Sequence, residues 1–114
     1  MDTRRLEEFC RGLPGVTEDI KWGAHLVFSV GGRMFVSFNE DAGVPMGFKC
    51  SDDDFDRLPK KKGIIPAPYA ARFGWVSVLQ RSALSQAEAK KQVRASYDLV
   101  VAALPRRVRE ELGC

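Results

Sequence analysis

The sequence predicts an α+β domain in which a three-stranded antiparallel meander lies between a first helix and a long last helix. Apolar residues alternate with a period of two over residues 26–50, as in half-buried strands. They recur with helical spacing near both ends of the chain, and glycine and proline separate these segments. The 114 residues suit a single domain spanning residues 1–114.

The first predicted helix begins at Asp2 or Thr3, either of which can cap its amino terminus. Its apolar residues fall at positions i, i+3, i+4 and i+7, namely Leu6, Phe9, Cys10 and Leu13. Pro14-Gly15 ends the helix, because proline cannot continue it and glycine permits a chain reversal.

The meander is predicted from three alternating runs joined by two turns. Gly31-Gly32 is a two-residue hairpin signal, because primed turns require positive φ, and residues 39–45 form a longer turn. The residues expected to face the core are Leu26, Phe28, Val30, Met34, Val36, Phe38, Met46, Phe48 and Cys50. The opposite strand phase, with Val27, Phe35, Val76 and Val78, is expected to stay uncovered.

The second half of the chain is predicted to supply two helices and two further strands. Ser51 begins a short helix whose first-turn acids, Asp52, Asp53 and Asp54, oppose the helix dipole. The proline-rich segment 64–69 suits only an edge strand, and residues 75–79 form a clearer one.

The longest helix begins with a capping box, Ser85 with Glu88, and runs to Leu104. Its apolar stripe consists of Ala89, Val93, Tyr97, Val100 and Leu104. Pro105 ends this helix and starts a short terminal one, whose Val108 and Leu112 pack back on the domain.

Charge is divided unevenly along the chain. Residues 1–56 hold six cations and eleven acids, a net of −5, whereas residues 57–114 hold twelve cations and four acids, a net of +8. This division can mark an anionic partner. The alternative is that both halves intermix in one globule and the charges are simply solvated.

Cysteine usage and hydropathy indicate a cytoplasmic protein. Cys10, Cys50 and Cys114 are odd in number and widely spaced, which argues against a disulfide framework and fits a reducing compartment. No apolar stretch reaches the roughly 18 residues that a transmembrane helix needs. Residues 1–12 do not have the pattern of a signal peptide.

Enzymatic chemistry has little support in the sequence. His25 is the single histidine, no serine elbow motif is present, and Cys50 falls on the inward phase of its strand, where a thiol is inert. The cysteines lack zinc-binding spacing, and helix capping explains the aspartates at positions 52–54 and 56. We therefore expect no catalytic residue, no metal and no cofactor.

Nucleic-acid binding is the one functional class with positive support. Cations lie near aromatic residues in the basic half, a combination that can contact phosphates and stack on bases. The candidate residues are Arg33, Lys60, Lys61, Lys62, Tyr69, Arg72 and Trp75. For Trp75, the competing interpretation is a core or sheet-covering side chain.

Several segments, in order, resemble the MmcQ/YjbR family. They read LPGVTED (13–19), WG (22–23), FSVGGRMF (28–35), IPAPYAARFGWV (65–76), SYDLV (96–100) and LPRR (104–107), and together they cover nearly the whole chain. The resemblance implies a bacterial cytoplasmic protein with a two-layer α+β fold, roughly α-β(3)-α-β(2)-α, with helices on one face of an antiparallel sheet and similar to secretion-chaperone-like folds. It also implies DNA binding through paired wing-like β elements, a double wing, without a known activity or cofactor.

In a nucleic-acid-binding module of this kind, we expect Arg33 at the Gly31-Gly32 hairpin tip to act as one wing, with Arg72 and the loop of Lys60, Lys61 and Lys62 nearby. Some relatives carry Tyr-His-Met-Asn-Lys where this chain has Tyr69-Ala70-Ala71-Arg72. This departure implies fewer polar contacts from that loop.

Two other functions stay open on the sequence. An uncovered sheet face or edge could bind a protein or an extended peptide. A cleft near Tyr69, Arg72 and Trp75 could hold the small-molecule substrate of an enzyme.

Overall fold

A computed structural model describes residues 1–114 and contains four α-helices and six β-strands. The helices are α1 (Thr3–Arg11), α2 (Asp52–Arg57), α3 (Gln86–Ala102) and α4 (Arg106–Leu112). The strands are β1 (Val16–Lys21), β2 (His25–Val30), β3 (Arg33–Asn39), β4 (Val44–Lys49), β5 (Ile64–Pro66) and β6 (Trp75–Val78). They form one antiparallel sheet in the order β1-β2-β3-β4-β6-β5. The predicted two-layer α+β fold is confirmed.

The meander has four strands and not the three predicted. The additional strand, β1, pairs with β2 from Val16 opposite Val30 to Lys21 opposite His25. Its sequence, VTEDIK, is largely exposed and carries two acids, so the apolar alternation that marks a half-buried strand is weak. Pairing with β2 decides its conformation.

The proline-rich segment does supply an edge strand, β5, as predicted.

A β-bulge in β3 reverses the predicted orientation of two residues. Phe28 pairs with Val36 and the next residue, Ser29, pairs with Met34, so Phe35 is an extra residue without a partner on β2. As a result Phe35 is fully buried in the core, and Met34 is turned to the opposite face. The expectations that Met34 faces the core and that Phe35 stays uncovered are both wrong.

The expected orientation of β6 is wrong as well. Val76 lies opposite Phe48, and Val78 lies opposite Met46, so both valines share the face of the core residues and are fully buried. Val27 does belong to the other strand phase, outside the main core, but it is 1% exposed and so is not uncovered. The free face of the sheet therefore consists of other residues than predicted.

Helix α3 covers the core face of the sheet, across β2, β3 and β4, and α1 packs beside it. Its capping box is present: Ser85 Oγ accepts from the Glu88 backbone N–H at 3.1 Å, and the Glu88 carboxylate accepts from the Ser85 N–H at 3.2 Å. The fully buried Ser96 donates its hydroxyl to the carbonyl of Phe35 at 2.6 Å, which joins the helix to the bulge.

The carboxyl end of the helical layer closes on the β2–β3 turn. Gly31 (φ 60°) and Gly32 (φ 77°) both take the left-handed conformation that the hairpin prediction requires. A Cβ atom on Gly31 would lie 2.7 Å from two methyl carbons of the buried Leu104, whereas a Cβ on Gly32 would meet nothing within 4 Å. Gly31 is therefore required for packing as well as for backbone conformation.

No helix of the structure is both long enough and apolar enough to cross a membrane.

These two glycines allow steric and backbone costs to be separated. We expect Gly32→Ala to lower the free energy of unfolding by about 1 kcal/mol, the cost of a left-handed alanine. Gly31→Ala should lower it by about 2–4 kcal/mol, because Leu104 must also be displaced from a packed site. Urea denaturation of both variants measures the difference, and equal destabilisation would contradict the packing role of Gly31.

Candidate functional site

An aromatic groove of about 720 Å³ lies on the sheet face opposite the helices. Trp22 comes from the β1–β2 turn, His25 from the start of β2, and Met34 and Ser37 from β3. The other side is formed by Trp75 at the start of β6 and by residues of the β5–β6 loop, Pro68, Tyr69, Ala70 and Phe73. Six of these nine residues are hydrophobic and none is acidic. We call this site the aromatic groove.

The exposed aromatic side chains of the protein are concentrated in this groove. Trp22 is 66% exposed, Phe73 55% and Tyr69 fully exposed, and these are the only large aromatic side chains in the chain with such exposure. Large exposed rings gathered in one place are typical of binding surfaces, because water solvates them poorly.

Two of these rings are carried by strained backbone. Trp22 (φ 51°) and Tyr69 (φ 68°) are the only residues other than glycine with positive φ. The left-handed conformation costs a side-chain-bearing residue roughly 1–2 kcal/mol, so the surrounding structure must hold it. The Trp22 ring meets His25 edge to face, with ring centroids 5.4 Å apart. Both strained residues thus border the same groove.

The β5–β6 loop, residues 67–74, is fixed by backbone hydrogen bonds. The Ala67 N–H donates to the Trp75 carbonyl at 3.0 Å, and the Ala71 N–H donates back to the Ala67 carbonyl at 3.0 Å. The Cys50 N–H donates to the Gly74 carbonyl at 2.9 Å and ties the loop to the end of β4. The rings of Tyr69 and Phe73 are therefore carried by an ordered loop.

The floor of the groove depends on a glycine, Gly47. A Cβ atom on Gly47 of β4 would lie 3.1 Å from Ser37 Oγ and 3.9 Å from the Trp75 ring. Ser37, Gly47 and Ser77 follow one another across β3, β4 and β6 in register. Small residues at these adjacent positions keep the sheet surface low beneath the aromatic side chains.

Two cations lie at the border of the groove beside Phe73. The Arg72 guanidinium lies over the Phe73 ring, 4.7 Å from its centroid. Lys49 Nζ donates to the Phe73 carbonyl at 3.0 Å. Both residues also line a neighbouring cleft whose single carboxylate is Asp52. This border is positively charged next to an apolar, aromatic interior.

The structure brings together only part of the predicted nucleic-acid site. Tyr69 and Trp75 line the groove and Arg72 borders it. Arg33 begins β3 at the end of the sheet where β4 ends and β6 begins, which is the end that carries Trp75.

The predicted lysine loop lies elsewhere. Lys60, Lys61 and Lys62 precede Ile64, which pairs with Val78 at the opposite end of the sheet from Arg33. Lys61 is also engaged with the helical layer, because its Nζ donates to the Glu88 carboxylate at 3.1 Å. The three lysines and Arg33 therefore do not form one compact cluster.

Ion pairs engage half of the twelve cations in the basic half. All four acids after residue 57, Glu88, Asp98, Glu110 and Glu111, pair with a cation of the same half. Arg57 pairs with Asp54, and Arg81 pairs with Glu40. Two of the eight ion pairs thus join the two halves, and the other six lie within one half. Arg72 and Lys49 form no ion pair within 4 Å.

The cysteines do not contribute a nucleophile to the groove. Burial raises the pKa of the Cys10 thiol to about 12 and that of Cys50 to about 11, so both are protonated at neutral pH. Cys50 lies in the core beneath the sheet, whereas His25 lies in the groove on the other face. A Cys50–His25 dyad is therefore not formed.

Seven of the nine groove residues were not predicted as site residues, among them Trp22, His25, Met34 and Phe73, and neither was Lys49 at the border. Trp22-Gly23 follows an acidic segment, and nothing in its spacing relates it to Tyr69, which is far along the chain. A tryptophan immediately before a turn glycine is the available signal. Met34 could not be placed on this face without knowledge of the bulge.

Comparisons with known proteins identify the family. The YjbR family model matches residues 11–99, and the chain belongs to that family. A crystal structure of the Deinococcus radiodurans protein DR2400, with a DUF419 domain, is similar at a TM-score of 0.80 and 24% identity, covering 97% of this chain and 87% of that one. A Pseudomonas syringae protein is similar at a TM-score of 0.70 and 17% identity, covering 88% of this chain and 99% of that one. At these identities the similarity shows the fold. No curated protein matches this chain.

Acid pH should weaken the contacts that hold Lys61. Hydrogen bonds from the Ser85 N–H, and then from Lys61, lower the pKa of Glu88 to about 2 from 4.5. Because this pKa is depressed in the folded state, the carboxylate contributes stability above about pH 4.5, and the contribution is lost as the pH falls through about 2.

We therefore expect Glu88→Gln to be less stable than the unmodified protein near neutral pH and the difference to shrink between about pH 4.5 and 2. Thermal unfolding across this range measures it. Lys61→Met serves as the control, since it retains the capping box and should show a smaller pH-dependent destabilisation. A constant difference at all pH values would contradict this assignment.

Proposed function

We propose that the protein is a non-catalytic nucleic-acid-binding module, DNA being the form implied by the family resemblance. The aromatic groove and the cations at its border would be the contact surface. The observation that carries the proposal is the position of Arg72 and Lys49, free of ion pairs, beside exposed aromatic side chains in a groove without a carboxylate. Phosphates would contact the cations, and the groove would accept less polar parts of the same ligand.

The predicted cations outside the groove have a secondary role in this proposal. Arg33 lies at the Trp75 end of the sheet, but it pairs with the core residue Val30 and is therefore on the helix-covered face, so it would contribute little to contacts in the groove. Lys60 and Lys62 are exposed and form no ion pair, and they would contact a ligand long enough to reach the β5 edge. Lys61 would contribute least, because Glu88 already binds its ammonium group.

The composition of the groove supports a binding role without catalysis. His25 and Tyr69 are its only titratable residues, and no carboxylate or thiol lies among the lining residues to form an acid–base or nucleophile–base pair with them. The buried thiols are protonated and face the other layer. A binding module fits this arrangement better than an enzyme does.

A second candidate is the binding of a proline-rich or otherwise apolar peptide. Tryptophan, tyrosine and proline side chains around an open groove are typical of surfaces that bind extended polyproline segments. Trp22, Trp75, Tyr69 and Pro68 supply these side chains here. Such binding would depend only slightly on salt, whereas phosphate binding depends on it steeply.

Salt dependence distinguishes the two functions. We expect a labelled oligonucleotide to bind the unmodified protein at low salt and to be released as salt rises. Lys49→Gln with Arg72→Gln should weaken binding and reduce the salt-dependence slope by about 0.7–0.9 for each phosphate that these cations no longer neutralise. Fluorescence anisotropy at several salt concentrations measures both quantities.

The matched control is Arg4→Gln with Lys91→Gln, which removes the same charge from exposed positions on helices α1 and α3. This control should leave the slope nearly unchanged. Absence of oligonucleotide binding at low salt, or an equal decrease in affinity in both double variants, would refute the proposed surface.

A further inference from the structure

We infer that the aromatic groove binds unpaired nucleobases by stacking, so that its ligand is single-stranded nucleic acid. This inference rests on the proposed function and specifies the form of the ligand. The juxtaposition that carries it is a set of exposed rings, Trp22, Tyr69 and Phe73, around a groove bordered by Arg72 and Lys49.

The exposed rings are the first argument. Base–aromatic stacking requires a π-face that the ligand can reach, and every base offers one. The protein leaves its three most exposed rings in this groove and buries or half-buries its other aromatic side chains. A duplex cannot use such rings, because its bases already stack on one another and present only their edges.

The charge distribution is the second argument. No acidic side chain lines the groove, so a polyanion meets no repulsion at its floor. Arg72 and Lys49 lie together beside Phe73, where a phosphate next to a stacked base would fall. An apolar peptide has no charge that these two cations could bind. In a single strand, the phosphates can contact the cations while the neighbouring bases stack on the aromatic rings.

Pre-organisation is the third argument. Backbone hydrogen bonds fix the loop that carries Tyr69 and Phe73, and Trp22 is held by a short turn and by its contact with His25. A loop backbone that is already ordered loses little conformational entropy when a ligand binds. Ser37 and His25 offer polar groups at the floor and wall, enough for a weak base preference.

The tryptophans allow a direct test, because the chain contains only two and both line the groove. Intrinsic tryptophan fluorescence therefore reports occupancy of this site alone. The unmodified protein would be titrated at low salt with single-stranded oligothymidylate, with oligouridylate and with a duplex of the same length. Anisotropy of the labelled nucleic acids would be measured in parallel.

We expect both single strands to quench the tryptophan fluorescence and to bind at least tenfold more tightly than the duplex. Comparison of the two single strands identifies DNA or RNA as the preferred source of the bases. Trp22→Gly should lower single-strand affinity by roughly 5- to 150-fold, the range for removal of one stacked base. Glycine also suits the positive φ of this residue, so the variant should remain folded.

Trp22→Phe and Tyr69→Phe are the matched controls, since each retains a ring and should retain most of the affinity. Duplex binding equal to or tighter than single-strand binding, or no effect of Trp22→Gly, would overturn the inference and leave the proposed function intact. Absence of binding by any nucleic acid at low salt would overturn both. Quenching by a proline-rich peptide with no response to the single strands would also overturn both.

Discussion

The packing of α3 against one face of the sheet is the interaction that determines the arrangement of both faces. This helix covers the central strands, and its buried Ser96 donates to the carbonyl of Phe35 at the bulge in β3. The bulge turns the Phe35 ring into the core, where it meets Tyr97 edge to face at 5.5 Å. The same bulge turns Met34 outward. A contact inside the core thereby determines which residues form the opposite surface.

The opposite face has no helix to cover it, and only the β5–β6 loop folds over part of it. Sheet faces of this kind are normally polar where they meet water. Here small residues keep the floor low, and aromatic side chains surround it on turns and loops with two left-handed residues, Trp22 and Tyr69. Strain of this kind persists where the surrounding structure holds it, and it is concentrated at binding sites. The fold supplies the rigid support, and the turns supply the groups that contact a ligand.

The fold, and not the division of charge along the chain, decides which cations are available to an anionic ligand. The four acids of the basic half pair with four of its own twelve cations, and Asp54 and Glu40 of the acidic half pair with two more. Net charge along a sequence segment is therefore a poor guide to the surface potential. What matters for an anionic ligand is which cations have no carboxylate partner and lie beside an accessible surface. Arg72 and Lys49 meet both conditions.

Elements that depend on local chemistry could be predicted from the amino-acid sequence. The amino-terminal helix caps, the Gly31-Gly32 turn, the edge strand and the apolar stripe of α3 are properties of neighbouring residues, and each prediction is confirmed. The first helix ends at Arg11, before the predicted Pro14-Gly15. Strand β1, the bulge at Phe35 and the convergence of Trp22 with Tyr69 became visible only in the folded chain. These features depend on pairing and packing between segments far apart in the chain, and a weak strand such as β1 takes its conformation from its partner. The site was only partly predictable for the same reason, because contact between distant turns is set by sheet order and register.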